Sequence, residues 1–294
     1  MAIRRITIFG TGLIGGSLGL ALKSRGFHGQ IVGCDRPPVL EKARRKGAID
    51  EGISEPSGAV RGSQVVVLAT PIAAVIDLIE RIGPILPART LLTDVGSTKT
   101  QIVARAAAVL GKNANRFLGG HPMAGKEQSG VEFADEDLFE SAVWFITPMA
   151  RQKLDETGQE YLEWVQRIGA HTAFLNAAQH DRVCAWTSHL PQMISTALAA
   201  SLVDEFGEGA PVLELGGRAL REMTRVSASP YSMWRDVALT NKKNISGVLL
   251  KLEQRLAYLR ENLDTRELAM EFEKAHQLYK LPLTKPGARA KGKG

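Results

Sequence analysis

Cysteine is scarce: the 294-residue chain has two, Cys34 and Cys184. They lie far apart, and neither sits in a CxxC pair or at a zinc-ligand spacing, so a disulfide framework is excluded and no metal is expected. Two reduced thiols in a cytoplasmic protein are the expectation. Long apolar runs are missing as well. No stretch reaches the roughly 18 residues that a membrane span needs. The opening MAIRRITIFG has arginines but no apolar core long enough for a secretion signal. A membrane role is therefore not expected. Basic surplus is also missing once one segment is set apart. The net charge is +6, but KPGARAKGKG (285–294) supplies four positive charges, so the rest carries 6 − 4 = +2. A nucleic-acid partner gains little support from so balanced a body. The tail, 284–294, has no large apolar residue and is expected to be disordered.

What is present is an ordinary globular composition, 44% hydrophobic and 23% charged, at a length that suits one large or two ordinary domains. Short apolar runs alternate with helical patterns through the first half. The runs cover 3–10, 30–35, 64–71, 90–96, 116–122, 142–148 and 171–176. Many are rich in Val, Ile and Phe and end in Gly, Pro or Asp, which reads as strands of a mainly parallel sheet. Strand–helix alternation implies an α/β doubly wound, Rossmann-type domain over 1–176. After that the pattern is helical: 177–206, 212–225, 230–262 and 264–280. Val183, Trp186, Leu190, Ile194 and Leu198 recur at three- and four-residue steps and predict one apolar stripe. Pro191 should kink or interrupt that first long helix. The all-α part, 177–283, is expected to bury its surplus apolar faces in a homodimer.

GTGLIGGSLGLALK (10–23) holds G-x-G-x-x-G as Gly10, Gly12 and Gly15, after a strand pattern and at the start of a helix pattern. Such a loop, with Leu13 and Ile14 inside it, places a pyrophosphate at a helix N-terminus. Asp35 follows Gly15 by twenty residues, at the end of the second strand. A carboxylate there binds a ribose hydroxyl and repels a 2′-phosphate, which favours NAD. Arg36 beside it pulls the other way. Thr70 and Pro71, in LATPI (68–72), end the third long strand and belong at the same edge of the sheet. DVGSTKT (94–100) ends the next strand. Asp94 or Ser97 there suits a helix cap. Ser97 and Lys99 should also share the rim with His121, where a serine–histidine pair would handle a proton.

A histidine set between Gly-Gly and proline in GGHPMAGKEQSGVE (119–132) is more than a turn needs. Taken with GTGLIGGSLGLALK, DVGSTK (94–99), HDRVCAWTSHLPQ (180–192) and MWRDVALTN (233–241), it resembles the prephenate dehydrogenase family, including its arogenate-using relatives. The HPMAG and SHLPQ segments carry the specificity of that likeness, which runs to about residue 280. It implies a monofunctional oxidoreductase of tyrosine biosynthesis, active on prephenate with NAD, with arogenate as the alternative substrate and tyrosine as a possible inhibitor. It assigns His121 as the catalytic base and Ser97 as its orienter. Arg225 would hold the ring carboxylate, with Arg218 and Arg221 as neighbours able to replace it, while His189 and Trp234 would border the side chain. His180 is read as a helix-start or support residue. Glu127 is assigned to a charge network at the cleft. Lys126 would bind a carboxylate, lower the pKa of His121 or face solvent. The carboxylates in EFADEDLFE (132–140) are candidates for meeting an ammonium group. Two other readings are a dehydrogenase of β-hydroxyacids or cyclic imines and a non-catalytic NAD sensor. The first does not explain HPMAG or SHLPQ, and a sensor has no need of His121, Ser97 and Arg225 together.

Overall fold

The computed structural model describes residues 3–209 and 211–280. The basic tail therefore lies outside the described residues. Eight strands form one sheet: β1 (Arg5–Phe9), β2 (Gln30–Cys34), β3 (Glu51–Gly52), β4 (Val65–Leu68), β5 (Leu91–Asp94), β6 (Phe117–Pro122), β7 (Val143–Pro148) and β8 (His171–Phe174). Their order is β3-β2-β1-β4-β5-β6-β7-β8. Only the β6–β7 pair is antiparallel, with His121 opposite Phe145. The central strands are buried on both faces, as a sheet wrapped by crossover helices requires. β3 has two residues and no apolar signal, so the sequence pattern passes over it.

Helices α1 (Leu13–Ser24), α2 (Pro37–Arg45), α3 (Pro56–Ala59), α4 (Ile72–Ile82), α5 (Thr100–Leu110) and α6 (Glu156–Arg167) belong to this layer. Then come α7 (Ala177–Cys184), α8 (Leu190–Phe206), α9 (Arg218–Thr224), α10 (Tyr231–Thr240), α11 (Lys242–Glu261) and α12 (Arg266–Lys280). The pattern over 230–262 is two helices, parted at Asn241.

The single stripe expected over 183–198 is corrected. A π-helical turn, Ala185–His189, separates α7 from α8, and Pro191 sits in the first turn of α8. The wide turn gives the proline a place where its missing N–H costs little. It also rotates α8 relative to α7, so the buried set becomes Cys184, Ala185, His189, Leu190, Gln192 and Ser195. Trp186 turns out to 44% exposure, with the Lys251 Nζ 5.9 Å from its ring. The last helices expose Leu250, Leu256, Met270, Phe272 and Leu278, a large apolar surface for one chain alone. No described helix is long and apolar enough to cross a membrane.

Candidate active site

β1 ends at Phe9 and the chain turns at Gly10, whose φ of +85° suits glycine. A Cβ there would lie 2.6 Å from the Ala69 carbonyl oxygen, and one on Gly15 would lie 2.0 Å from that of Gly10. Gly12 caps α1 with no side chain, nothing lies above it within 4 Å, and the first turn of α1 carries no acidic residue. Free N–H groups at an uncovered helix start attract an anion. Asp35, just past β2, accepts from the Thr11 backbone N–H at 2.9 Å, which ties it to this loop. Thr70 Oγ1 is buried beside Gly10 without a partner. The residues expected to hold a dinucleotide are thus together at one edge of the sheet and fit that role; Arg36 is exposed at its outer side.

Beyond β5 and β6 lies a second, polar centre. A Cβ on Gly120 would meet the Asp94 carbonyl oxygen at 2.7 Å, so glycine lets β6 run close to β5 there. The Asp94 carboxylate accepts from the Gly96 N–H at 2.8 Å and the Gly120 N–H at 3.3 Å, and it pairs with Lys99. Lys99 is fully buried, not on the rim as expected, and burial lowers its pKa against the pull of Asp94.

His121 Nδ1 lies 2.9 Å from His180 Nε2, and His180 Nδ1 lies 2.9 Å from Asp181 Oδ1. A carboxylate only accepts, so His180 donates from Nδ1 and its Nε2 is left as an acceptor. His121 therefore donates from Nδ1, and its Nε2 keeps a lone pair. Burial drives the pKa of His121 well below 6.5, aided by His180, Lys99 and His189. Burial also lowers His180, although Asp181 resists this. Burial alone would raise Asp181, but hydrogen bonds from His180, Thr100 and Lys99 hold it below the usual carboxylate range.

His189 is buried next to Trp234, ring centres 5.8 Å apart and nearly perpendicular. Its Nδ1 is 3.2 Å from the Asn241 amide nitrogen, which also donates to the Asp181 carbonyl at 2.8 Å. The ring thus accepts at Nδ1 and carries its proton on Nε2. That Nε2 and the Trp234 Nε1 are both buried without a partner. Two spare donors in a closed space fit a ligand oxygen. Trp234 lines a cavity of about 330 Å³ together with Lys126, Glu127, Ser188, Gln192 and Arg225, among others. Arg225 bridges the cavity to Glu127.

The halves meet through carboxylates. Asp181, on α7, accepts from the Lys99 and Thr100 N–H groups at 2.7 and 2.9 Å, which caps α5. Asp236, on α10, accepts from the Ala73 N–H at 3.1 Å in the first turn of α4. Each satisfies N–H groups that a helix start leaves open and places negative charge at its positive end.

A family model described as the nucleotide-binding domain of prephenate dehydrogenase matches residues 18–173, and one described as its dimerization domain matches 176–276. The chain belongs to the prephenate dehydrogenase family. It is 34% identical to the prephenate dehydrogenase of Bacillus subtilis over 96% of this chain and 77% of that one. Its fold matches the A. aeolicus prephenate dehydrogenase solved with hydroxyphenyl propionate and NAD+, with a TM-score of 0.84, 28% identity, and 97% and 99% of the two chains covered. The Synechocystis arogenate dehydrogenase has the same fold, with a TM-score of 0.74, 28% identity, and 94% and 99% covered.

Within this family framework several expected roles change. His121 pairs with His180, and no hydrogen bond joins it to the half-buried Ser97 among the described residues. His180 does not start α7; Asn176 does, through a capping box with Gln179. Lys126 bonds Asp135 at 2.9 Å, and the cation that lowers His121 is Lys99. Arg218 pairs with Glu222 on the surface and Arg221 bonds the Gly216 carbonyl, so of the three arginines only Arg225 lines the cavity. Asp181 and Asn241 have no assigned role in the sequence pattern; the His-Asp pair ahead of SHLPQ is the signal available for the first.

The buried histidines set an acid limit on stability. His121, His180 and His189 all titrate below 6.5 when folded, His189 at about 4. Unfolded, each titrates near 6.5, so the unfolded chain binds more protons below that pH. Their contribution is intact above about pH 6.5 and falls as pH drops, by up to about 1 kcal/mol per pH unit for each. Urea denaturation should show a clearly lower midpoint at pH 5 than at pH 7. Equal midpoints would mean these rings are not buried and neutral.

Proposed function

We propose that the chain catalyses the NAD-dependent oxidative decarboxylation of prephenate to 4-hydroxyphenylpyruvate, as a homodimer. The observation that carries this is the Asp181–His180–His121 line, which leaves one histidine lone pair beside the dinucleotide edge of the sheet. Bound NAD supplies the hydride acceptor. The ring hydroxyl must lose its proton as hydride leaves, and His121 Nε2 takes it. A histidine kept neutral by burial is available as an acceptor throughout the neutral range. Ser97 orients the hydroxyl from the loop after β5. Arg225 leaves Glu127 for the ring carboxylate, to which a guanidinium can make two parallel hydrogen bonds. His189 and Trp234 give their spare N–H groups to the side-chain carboxylate and keto group. Lys126 adds positive charge at the mouth. Loss of carbon dioxide makes the ring aromatic and drives the reaction forward. Feedback by tyrosine, whose ring and side chain resemble the substrate, belongs to the same pocket.

The surroundings of the cavity offer few carboxylates to an amino side chain. Glu132 and Asp135 are held by Lys42 and Lys126, and Asp137 and Glu140 by Arg25. The one carboxylate among the described residues lining the cavity is Glu127, which pairs with Arg225 until substrate binds. An ammonium group would thus have Glu127 alone to meet it, and the carboxylates paired with Lys42, Lys126 and Arg25 are not spare.

The deciding experiment measures reduced cofactor with prephenate and with arogenate, each with NAD and with NADP. Fast reduction with prephenate and NAD is expected. Activity with arogenate alone would move the substrate, and none in any combination would remove the proposal. Asp35→Ala should raise the NADP-to-NAD ratio of kcat/KM by at least about 10-fold, since one charge-assisted contact is worth roughly 1.5–3 kcal/mol; an unchanged ratio would discard Asp35 as the selector. Arg225→Ala should raise the KM for prephenate by about 10–100-fold for the same reason. A KM within twofold of wild type would exclude it.

A further inference from the structure

The proposed reaction leaves both buried thiols unused, and one of them sits against the proton line. Cys184 Sγ is 3.4 Å from His180 Nε2 and 3.9 Å from His121 Nδ1, and those nitrogens are 2.9 Å apart. All three side chains are buried. We propose that Cys184, His180 and His121 form an inhibitory site for a soft divalent metal, zinc in particular.

The geometry is near what the ion needs. Tetrahedral zinc, with bonds of about 2.0–2.1 Å to nitrogen and about 2.3 Å to sulfur, sets its ligand atoms roughly 3.3–3.6 Å apart. The observed triangle needs small shifts of two rings. His180 and Cys184 are four residues apart, on one face of α7. His121 enters from β6, so the set is invisible to a search for local ligand spacing.

The surroundings suit the ion as well. His180 already donates Nδ1–H to Asp181 and presents Nε2, which is how a carboxylate orients a metal-bound histidine. Charge also balances. The ion brings +2, the Cys184 thiolate −1 and Asp181 −1, which sums to zero, while Lys99 and Asp94 cancel each other. A buried ion is tolerated only with such pairing.

Binding breaks the Cys184 S–H bond and sends that proton to solvent. His121 moves its own proton from Nδ1 to Nε2, leaving Nδ1 for the metal. No oxidant or reductant is needed. The shifted proton occupies the lone pair that the proposed reaction uses, so the metal-bound chain is inactive. Binding itself does not rest on the proposed reaction; only the inhibition does. One proton is released per ion, so affinity rises with pH.

The test uses cobalt(II) as an optical probe on the chelator-treated full-length chain. Wild type should bind one equivalent and show a sulfur-to-cobalt charge-transfer band that zinc displaces. Cys184→Ala and Cys184→Ser should lose that band, and Cys34→Ala should keep it. In the prephenate assay, Cys184→Ala should need more than about 10-fold more zinc for the same fractional inhibition. A band that survives in both Cys184 variants, or no band in wild type, overturns the site. If the band behaves as expected but no substrate turns over, the proposed function fails and the metal site stands.

Discussion

Replacing His121 with asparagine lowers kcat by about 10²–10⁴-fold, the range that a general base supplies. Asparagine can still donate to His180 and fill much of the space, but its amide cannot take a proton. The nucleotide loop lies between β1 and α1 and shares no hydrogen bond with His121 or His180 among the described residues, so NAD affinity should stay within twofold of wild type. Single-turnover reduction of NAD at saturating prephenate, beside a binding titration with NAD alone, separates the two. Wild type should hold its rate well below pH 6.5, because burial keeps His121 neutral there. Near-normal turnover by His121→Asn would remove this ring as the acceptor. An acid limb near pH 6.5 in the wild-type profile would mean that the ring is solvated.

Asp181→Asn should be nearly as damaging, by a different route. The carboxylate accepts three hydrogen bonds, from His180, Lys99 and Thr100. His180 and the Lys99 N–H share Oδ1 while the Thr100 N–H takes Oδ2, so an amide with its nitrogen in the Oδ1 place keeps the Thr100 bond and presents its NH2 to His180. That ring must then accept at Nδ1 and donate from Nε2. His121 in turn must accept at Nδ1 and hold its proton on Nε2, where the substrate needs an empty lone pair. A carboxylate-to-amide change that imposes a wrong tautomer has cost about 10⁴ in kcat in the serine-protease triad. A fall of at least about 10²-fold is expected here, with a stability loss of roughly 1–3 kcal/mol from weakened capping. Asp181 is a positioning residue, so KM for prephenate should change little and the pH profile should move. A stability loss with kcat and pH profile intact would leave it as a cap alone.

The sequence carried the Rossmann half well, because each element there announces itself locally. Gly10 to Gly15 follow a strand and open a helix, and Asp35 stands at the expected distance. His121 was legible because glycine on one side and proline on the other leave no packing reason for an imidazole. What was not legible depends on three dimensions. The partner of His121 comes from α7, 59 residues away, while Ser97 was nearer in the chain and so claimed the role. Lys99 looked like a surface cation in a polar loop, yet Asp94 draws it wholly inside. The π-turn at Ala185–His189 has no periodicity of its own. It shifted the helical register and turned Trp186 outward.

The two carboxylates that cap α4 and α5 from the helical half have a mechanical consequence. A hinge between the halves would have to strip Asp181 and Asp236 from two helix starts at once and draw His180 away from His121. Whole-domain opening is therefore the expensive way to admit NAD or release product. The Glu127–Arg225 bridge is exposed and reaches across the mouth by side chains alone. The Glu127–Arg225 pair is thus the cheaper contact to part, and the two capping carboxylates are the costlier ones.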